Sequence, residues 1–264
     1  MFALLRSLIS YRGFVFSSIR NEFVARFARS RLGGLWMVIH PLAQVAIFAL
    51  VLSSVLSARL PGVDNKFVYA LYLMSGILAW SLFAEVITRC LTLFIDKGNL
   101  MKKISFPRIT LPAIVVGSSL LNYTLLFLAL LLVFALLGHS ASIAVAWLLP
   151  LTLALVALSL GIGLIFGVLN VFVRDVGQVV PIILQAWFWL TPITYPVGII
   201  PDQLKSLVVF NPMFAIVTAY HDVLVYGRTP DLQAVAIIAM VSIGLLLMGL
   251  FLFRRASAEM VDAL

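Results

Sequence analysis

Charged residues are scarce in this sequence, where Asp, Glu, Lys and Arg together make up 11% of 264 residues. A soluble globular domain carries about 25% charged residues, because its surface must face water. Hydrophobic residues make up 63% of the chain. They occur in runs of about 20 residues, the length that a helix needs to cross a hydrocarbon core about 30 Å thick. The composition therefore excludes an ordinary soluble domain and predicts a chain that crosses a membrane.

The sequence also lacks the alternating polar and apolar pattern that is typical of a membrane β-barrel. Inside a bilayer every backbone N–H and C=O needs a partner, which only helices and closed barrels provide. We therefore expect an all-α, polytopic membrane protein that forms one transmembrane domain over residues 1–264. A buried globular core is the alternative, but runs longer than about 18 apolar residues argue against it.

Cysteine and catalytic motifs are nearly absent. Cys90 is the only cysteine, which excludes an intrachain disulfide and a cysteine-based metal cluster. The sequence contains no GxxxxGK[ST] phosphate loop, no HExxH and no GxSxG, and its acidic residues form no repeated proton relay. We therefore expect no catalytic site, cofactor or metal in this chain. If a chain without such a relay transports a solute, the energy must come from elsewhere.

The charges that are present have an uneven sign, with a formal net charge of +8. Basic residues of membrane proteins collect in cytoplasmic segments, so the excess predicts orientation and not binding to nucleic acid. A model with six spans places 14 Lys and Arg residues in inner segments and 4 in outer loops. Both termini are therefore expected in the cytoplasm.

Six apolar segments fit six spans. They lie at about residues 35–58, 67–91, 109–137, 145–173, 176–190 and 232–253. Another apolar block, 212–226, is expected to form a re-entrant helix or an interfacial helix on the outer side, because a further crossing would move Arg254 and Arg255 outside. Gly163 and Gly167 form a GxxxG pair, which predicts close helix packing within this chain more than between two copies.

A charged segment precedes the first of these spans. Residues 1–34 contain six Arg, and Phe16, Ile19, Phe23 and Phe27 share one helical face. This pattern predicts an interfacial helix on the inner side, with a plain basic flank as the alternative. The segment lacks the continuous apolar core of a signal peptide, so we expect it in the mature protein.

Glu85 and Arg89 stand four residues apart near the end of the second span. This spacing places them on one helical face, where they can form an ion pair. A structural ion pair is the favoured interpretation, and a functional relay is the alternative.

The most polar interior stretch, IDKGNLMKKISFPR, covers residues 95–108. Its basic residues are interleaved with apolar ones, which fits a short helix that docks in a groove of a soluble motor protein. A plain loop that carries positive-inside lysines fits the pattern equally well.

Three motifs occur in order along the chain: RSRLGGLWMVIHPL (29–42), NLMKKISFPRITLP (99–112) and WFWLTPITYPVGIIP (187–201). Together they resemble the permeases of bacterial ABC exporters for O-antigen and capsular polysaccharide, and the resemblance covers nearly the whole chain. It implies a homodimer in the inner membrane, paired with two copies of an ATPase that binds ATP and Mg. The implied cargo is a glycan linked to undecaprenyl pyrophosphate.

The resemblance also implies roles for particular residues. The substrate gate for the pyrophosphate head would consist of Arg29, Arg31, Leu32 and Gly33. The ATPase-coupling helix, residues 95–106, would act through Asp96, Lys97, Asn99, Leu100, Lys102, Lys103 and Phe106. The segment PITYP and the block after it would form re-entrant helices that close the outer gate.

Aromatic side chains can hold the apolar faces of sugars in a glycan channel. The candidates are Trp80, Phe83, Trp187, Phe188, Trp189 and Tyr195. The alternative is that they are ordinary interfacial anchors, since Trp and Tyr gather at membrane surfaces.

Other functions compete with polysaccharide export. An ABC permease for a small drug or antibiotic is the nearest alternative. A polytopic glycan-modifying enzyme would require acidic residues in a motif, whereas Asp64, Asp202, Asp222 and Asp231 are scattered. A passive channel would require a filter-like sequence, and none occurs.

Overall fold

The structure is a computed structural model. It describes residues 9–27, 33–36, 39, 42–43, 46–47, 66–103, 106–136, 142–199, 203, 208, 210–257 and 259–260. Its α-helices in chain order are α1 (Arg12–Phe27), α2 (Lys66–Asp96), α3 (Gly98–Lys103), α4 (Thr110–Leu136), α5 (Leu148–Phe172), α6 (Val176–Leu190), α7 (Pro212–Leu224) and α8 (Leu232–Ala256). Short 3-10 turns occupy Gly33–Leu35, Ile143–Trp147 and Val197–Ile199.

Among the described residues, four helical segments are long and apolar enough to cross a membrane. They are Val68–Asp96, Thr110–Ala135, Ile143–Phe172 and Leu232–Ala256. Within the described ranges the chain forms helices, turns and irregular segments and no strand. The expectation of an all-α, polytopic membrane protein is confirmed.

The number of spans stays a prediction. The expected first span, residues 35–58, lies almost wholly outside the described residues. Helix α6 has 15 residues, which corresponds to about 22 Å at 1.5 Å per residue. Helix α7 has 13 residues and reaches about 20 Å, so neither helix alone is long enough to cross a core about 30 Å thick.

Helix α5 packs between α2 and α8 at positions that only glycine permits. A Cβ added to Gly161 would lie 2.6 Å from the backbone of Leu245 and Leu246 in α8. A Cβ on Gly163 would lie 2.9 Å from Cys90 Cβ in α2, and one on Gly167 would collide with the Cys90 carbonyl. The predicted close packing of the GxxxG pair within one chain is therefore confirmed.

The ends of the shorter helices follow from local sequence. Helix α7 begins with Pro212 after Asn211, whose side chain accepts a hydrogen bond from Met213 N at 3.0 Å. Asp231 caps α8 by accepting from Gln233 N at 2.9 Å. These are the residue types that satisfy the free N–H groups of a first helical turn.

Candidate functional site

Five of the six candidate aromatics form ring contacts where α2 meets α6, and the sixth, Tyr195, reaches the end of α6 through its hydroxyl. The ring centroids of Trp80 and Phe188 are 5.5 Å apart, and those of Phe83 and Trp187 are 5.1 Å apart, both edge to face. Trp189 packs on Phe188 at 5.4 Å, while the Tyr195 hydroxyl donates to the Trp189 carbonyl at 2.9 Å. The folded chain therefore joins two sequence regions about a hundred residues apart into one aromatic cluster.

Members of this cluster differ in exposure. Phe83 is fully buried, whereas 56% of Trp189 is exposed. The indole N–H of Trp187 donates to Asn211 Oδ1 at 2.7 Å, and Asn211 Nδ2 donates to Thr191 Oγ1 at 3.0 Å. Trp187 is thus fixed in one orientation, and Trp189 offers an open face. A path for sugars along these rings stays a prediction.

The start of α2 holds the PITYP segment, residues 192–196, through tyrosine hydroxyls. Tyr69 donates to the Thr194 carbonyl at 2.7 Å. Tyr72 lies within 3.1 Å of the carbonyls of both Pro192 and Tyr195. Two prolines interrupt regular backbone pairing in this segment, so its carbonyls need side-chain donors. We call residues 69–76 of α2, with these contacts, the tyrosine end.

His221 of α7 completes the tyrosine end. Its ring stacks on Tyr72 with centroids 3.6 Å apart, and its Nε2 lies 3.1 Å from the Tyr72 carbonyl. A Cβ on Gly76 would lie 3.1 Å from both His221 Nε2 and Ile193 Cγ2. Helix α7 and the PITYP segment therefore press against the same surface of α2.

The other end of α2 is organised by Arg89. Arg89 forms an ion pair with Glu22 of α1 and another with Glu85, at 3.4 Å. It also donates to Ser118 Oγ of α4 at 2.7 Å. The predicted pairing of Glu85 with Arg89 is confirmed. We call residues 85–94 of α2, with these partners, the arginine end.

The expected coupling helix is shorter than predicted. Residues 95 and 96 belong to α2, α3 covers Gly98–Lys103, and residues 104 and 105 lie outside the described residues. The polar candidates Asp96, Lys97, Asn99, Lys102 and Lys103 are all exposed. Leu100 and Phe106 are partly buried. The segment thus presents polar groups outward, and its role in coupling stays a prediction.

The expected substrate gate is described at one residue. Arg29, Arg31 and Leu32 lie outside the described residues. Gly33 has φ 51° and begins a 3-10 turn. This left-handed conformation suits glycine, because a side chain there would be strained. This tight turn therefore depends on glycine at position 33.

Sequence reasoning did not find Tyr69, Tyr72, His221 or Glu22 as site residues. Tyr72 contacts carbonyls more than 100 positions away, and no helical periodicity encodes such a distance. One signal was available, since two prolines in an apolar chain imply carbonyls that need donors. In the described part of the chain, no three His, Cys, Asp or Glu side chains are grouped to hold a metal.

Comparison with known proteins identifies the family. The ABC-2 type transporter family matches residues 14–225. The chain is 27% identical to the O-antigen export system permease protein RfbA of Myxococcus xanthus, over the full length of both proteins. It is 26% identical to RfbA of Klebsiella pneumoniae over 92% of each chain. It is also 26% identical to the polysialic acid transport protein KpsM of Escherichia coli, over 92% of this chain and 93% of that protein.

These findings define a polytopic helical membrane protein of the transporter class. The chain belongs to the ABC-2 type transporter family.

Proposed function

We propose that this chain is the membrane permease of an ATP-driven exporter that moves lipid-linked polysaccharide of the O-antigen type out of the cytoplasm. The observation that carries the proposal is its similarity to an O-antigen export permease along the full length of both chains. The similarity to a polysialic acid transport protein points to the same class of cargo, a long glycan.

The energy for export would come from a separate ATPase. The chain has no phosphate-binding loop in its sequence, and ATP with Mg would bind to that partner. The surface proposed to meet it is the exposed polar side of α3 with Asp96 and Lys97. A soluble partner with acidic residues around a groove would complement Lys102 and Lys103.

The permease is proposed to work as a homodimer with two ATPase copies. Helix α6 exposes apolar side chains in the single chain: Val179, Ile182, Ile183, Trp189 and Leu190. In a membrane, a second copy or lipid must cover such a surface. Native mass spectrometry of the purified complex should find two 29.0 kDa chains with two ATPases. A complex with one permease chain would contradict the dimer.

The cargo would enter at the cytoplasmic side and leave at the other. Arg29 and Arg31 would bind the pyrophosphate head through charge-assisted hydrogen bonds, beside the tight turn at Gly33. The aromatic cluster would offer weak platforms to passing sugars. In this orientation the chain would lie in a bacterial inner membrane with both termini on the cytoplasmic side, consistent with the distribution of basic residues.

Deletion of the gene tests the proposal. The mutant should accumulate finished, lipid-linked polymer inside the cell, and a plasmid copy should restore surface polymer. Normal surface polymer in the mutant would contradict the proposal. If the mutant instead became sensitive to a small drug while surface polymer stayed normal, a drug permease would replace the glycan exporter.

Replacement of Arg31 by Ala tests the proposed gate. Export should slow while the complex assembles normally, because one cation for the pyrophosphate is lost. The matched control is Arg20→Ala, which removes an exposed cation of α1 and should export normally. Wild-type export by Arg31→Ala would remove this residue from the gate.

A further inference from the structure

A cavity of about 470 Å³ lies between α7 and α8. This volume is typical of a site for a small molecule or one part of a larger one. We call it the α7–α8 cavity. Its lining is mostly apolar and includes Phe210, Phe214, Ala215, Val235, Ile238 and Val241.

The polarity of the lining changes from one end of the cavity to the other. Phe214, Thr218 and Asp222 of α7 all line it and stand four residues apart, so they share one helical face. They span about 12 Å at 1.5 Å per residue. On α8, Asp231 lies at the helix start and Val241 lies about 15 Å further along. Since α7 ends close in sequence to where α8 begins, both carboxylates lie at the same end, which we call the mouth.

The mouth carries charges of both signs. The Arg228 side chain donates from Nε and Nη2 to Asp222 Oδ1, at 2.9 Å and 2.6 Å, and it is 66% exposed. Asp231 is also exposed and forms no ion pair within the described part of the chain. Two carboxylates and one guanidinium give the mouth a formal charge of −1. Electrostatic complementarity therefore favours a ligand group that contains a cation.

Thr218 places a hydroxyl one helical turn inside the mouth. Its Oγ1 atom is buried and has no hydrogen-bond partner among the described residues, although Thr218 lines the cavity. Buried hydroxyls ordinarily have a partner. An oxygen of a ligand in the cavity, at a depth between the charges and the apolar end, would accept a hydrogen bond from it.

The order of charges, a hydroxyl and an apolar end matches the order of groups in a membrane phospholipid. We propose that the α7–α8 cavity binds an acyl chain of a phospholipid with a primary amine in its headgroup, phosphatidylethanolamine. The ammonium group donates to Asp231, Arg228 donates to the phosphate, and Thr218 donates to an ester carbonyl of the lipid. The acyl chain then lies against Phe214 and Val241. This binding site does not rest on the function proposed above.

Lipid titration with native mass spectrometry tests the headgroup preference. The purified full-length chain in detergent is titrated with phosphatidylethanolamine, phosphatidylcholine or phosphatidylglycerol, all with the same acyl chains. Phosphatidylcholine keeps the charges but has no N–H on its ammonium group, and phosphatidylglycerol has no cation. Phosphatidylethanolamine should bind several-fold more tightly than either. Equal binding of phosphatidylethanolamine and one of the other two lipids would overturn the proposal.

Replacement of Asp231 by Asn tests the headgroup contact. Asn caps a helix as Asp does, so Asp231→Asn removes the charge and keeps the start of α8. Affinity for phosphatidylethanolamine should fall about two- to five-fold, the effect of losing an exposed ion pair. The matched control is Asp175→Asn, which removes an exposed carboxylate just before α6 and should bind like the wild type. Equal affinities of the two variants would overturn the proposal.

The place of the acyl chain is tested by photolabelling and by filling the cavity. Phosphatidylethanolamine with a photoreactive group in its acyl chain should label residues 210–218 and 234–241 of the wild type, and labelling only elsewhere would contradict the site. Ala215→Phe should prevent both binding and labelling, because its ring occupies the cavity. If this variant bound lipid normally but no longer formed a dimer, a second copy would fill the cavity, and the proposal would be wrong. The labelling of the wild type decides the site even if Ala215→Phe does not fold.

Discussion

The two ends of α2 hold their neighbours by different chemistry. At the tyrosine end, the hydroxyls of Tyr69 and Tyr72 donate to carbonyls of the irregular PITYP segment, and the His221 imidazole stacks on Tyr72. Tyr69 and Tyr72 are each only 2% exposed. At the arginine end, one cation joins two carboxylates, and the side chains of Arg89, Glu85 and Glu22 are 18%, 25% and 36% exposed.

This difference suggests which end is easier to rearrange. Buried hydrogen bonds to backbone carbonyls are costly to break, because each carbonyl is left without a donor. Partly exposed ion pairs contribute about 1 kcal/mol or less, since water and salt compete for the charges. The tyrosine end is therefore expected to stay fixed during transport, and the arginine end to permit movement of α1.

The largest effect is expected at Tyr72. Tyr72→Ala should cost about 3–5 kcal/mol of unfolding free energy, because it opens a cavity and removes the stacking partner of His221. Tyr72→Phe keeps the ring and removes only the hydroxyl, which leaves the Pro192 and Tyr195 carbonyls without this donor, so it should cost about 1–3 kcal/mol. Detergent titration of the purified chain measures both. If the two variants lost equal stability, the hydroxyl and not packing would hold this end.

The next effect is expected at Arg89. Arg89→Leu leaves Glu22 and Glu85 without their cation and should cost about 2–3 kcal/mol, less than a fully buried pair because water reaches the carboxylates. Between 0.1 M and 1 M salt, Glu22→Gln should approach the wild type in hydrogen exchange over α1, since screening weakens the native pair as well. The Tyr72 variants should show no such dependence. If the difference in exchange between Glu22→Gln and the wild type did not depend on salt, the Glu22 contact would be shielded from water. That result would contradict the comparison between the two ends of α2.

A smaller effect is expected where Ile19 packs over Gly117. Gly117→Leu should displace α1 and cost about 1–2 kcal/mol through overpacking. Ile19→Ala in the same chain should recover part of that loss, because it reopens the space. Gly244→Leu is the control, since nothing lies within 4 Å of a Cβ there. Thermal unfolding of the wild type, the two single variants and the double variant measures these changes in stability. If Ile19→Ala recovered none of the loss, the contact between Ile19 and position 117 would not be its cause.

The smallest effect on stability is expected in α3. Lys102→Glu with Lys103→Glu should change unfolding free energy by less than about 0.5 kcal/mol, because both side chains are exposed. Co-purification of the ATPase should nevertheless fall clearly. Charge reversal at the exposed residues Arg254 and Arg255 is the control for net charge, and that variant should still co-purify with the ATPase. Unchanged co-purification by the Lys variant would refute the coupling surface.

The sequence predicted features that depend on neighbours along the chain. The lengths of the apolar runs predicted the ends of α4 and α8 to within a few residues. The i, i+4 spacing predicted the ion pair between Glu85 and Arg89. The GxxxG motif predicted close packing, because only small residues permit it. The predicted second span ends at about residue 91, whereas helix α2 continues to Asp96, since a helix can extend beyond its apolar run while backbone bonding persists.

Contacts between distant segments could not be predicted. Glu22 lies on the predicted interfacial helix, and no local pattern shows that it meets Arg89, 67 positions away. The same holds for Tyr72 and the PITYP carbonyls. The aromatic candidates were chosen by residue type alone, and their assembly into one cluster required the packing of α6 on α2.

The most direct test of the central claim is movement of lipid-linked glycan across a membrane that contains only this chain and its ATPase. Sealed proteoliposomes receive the glycan on the ATPase side, and a membrane-impermeant lectin then reports its appearance on the other side. We predict ATP-dependent appearance of glycan that vanishes without this chain. ATP hydrolysis by an assembled complex with no glycan on the far side would contradict the account.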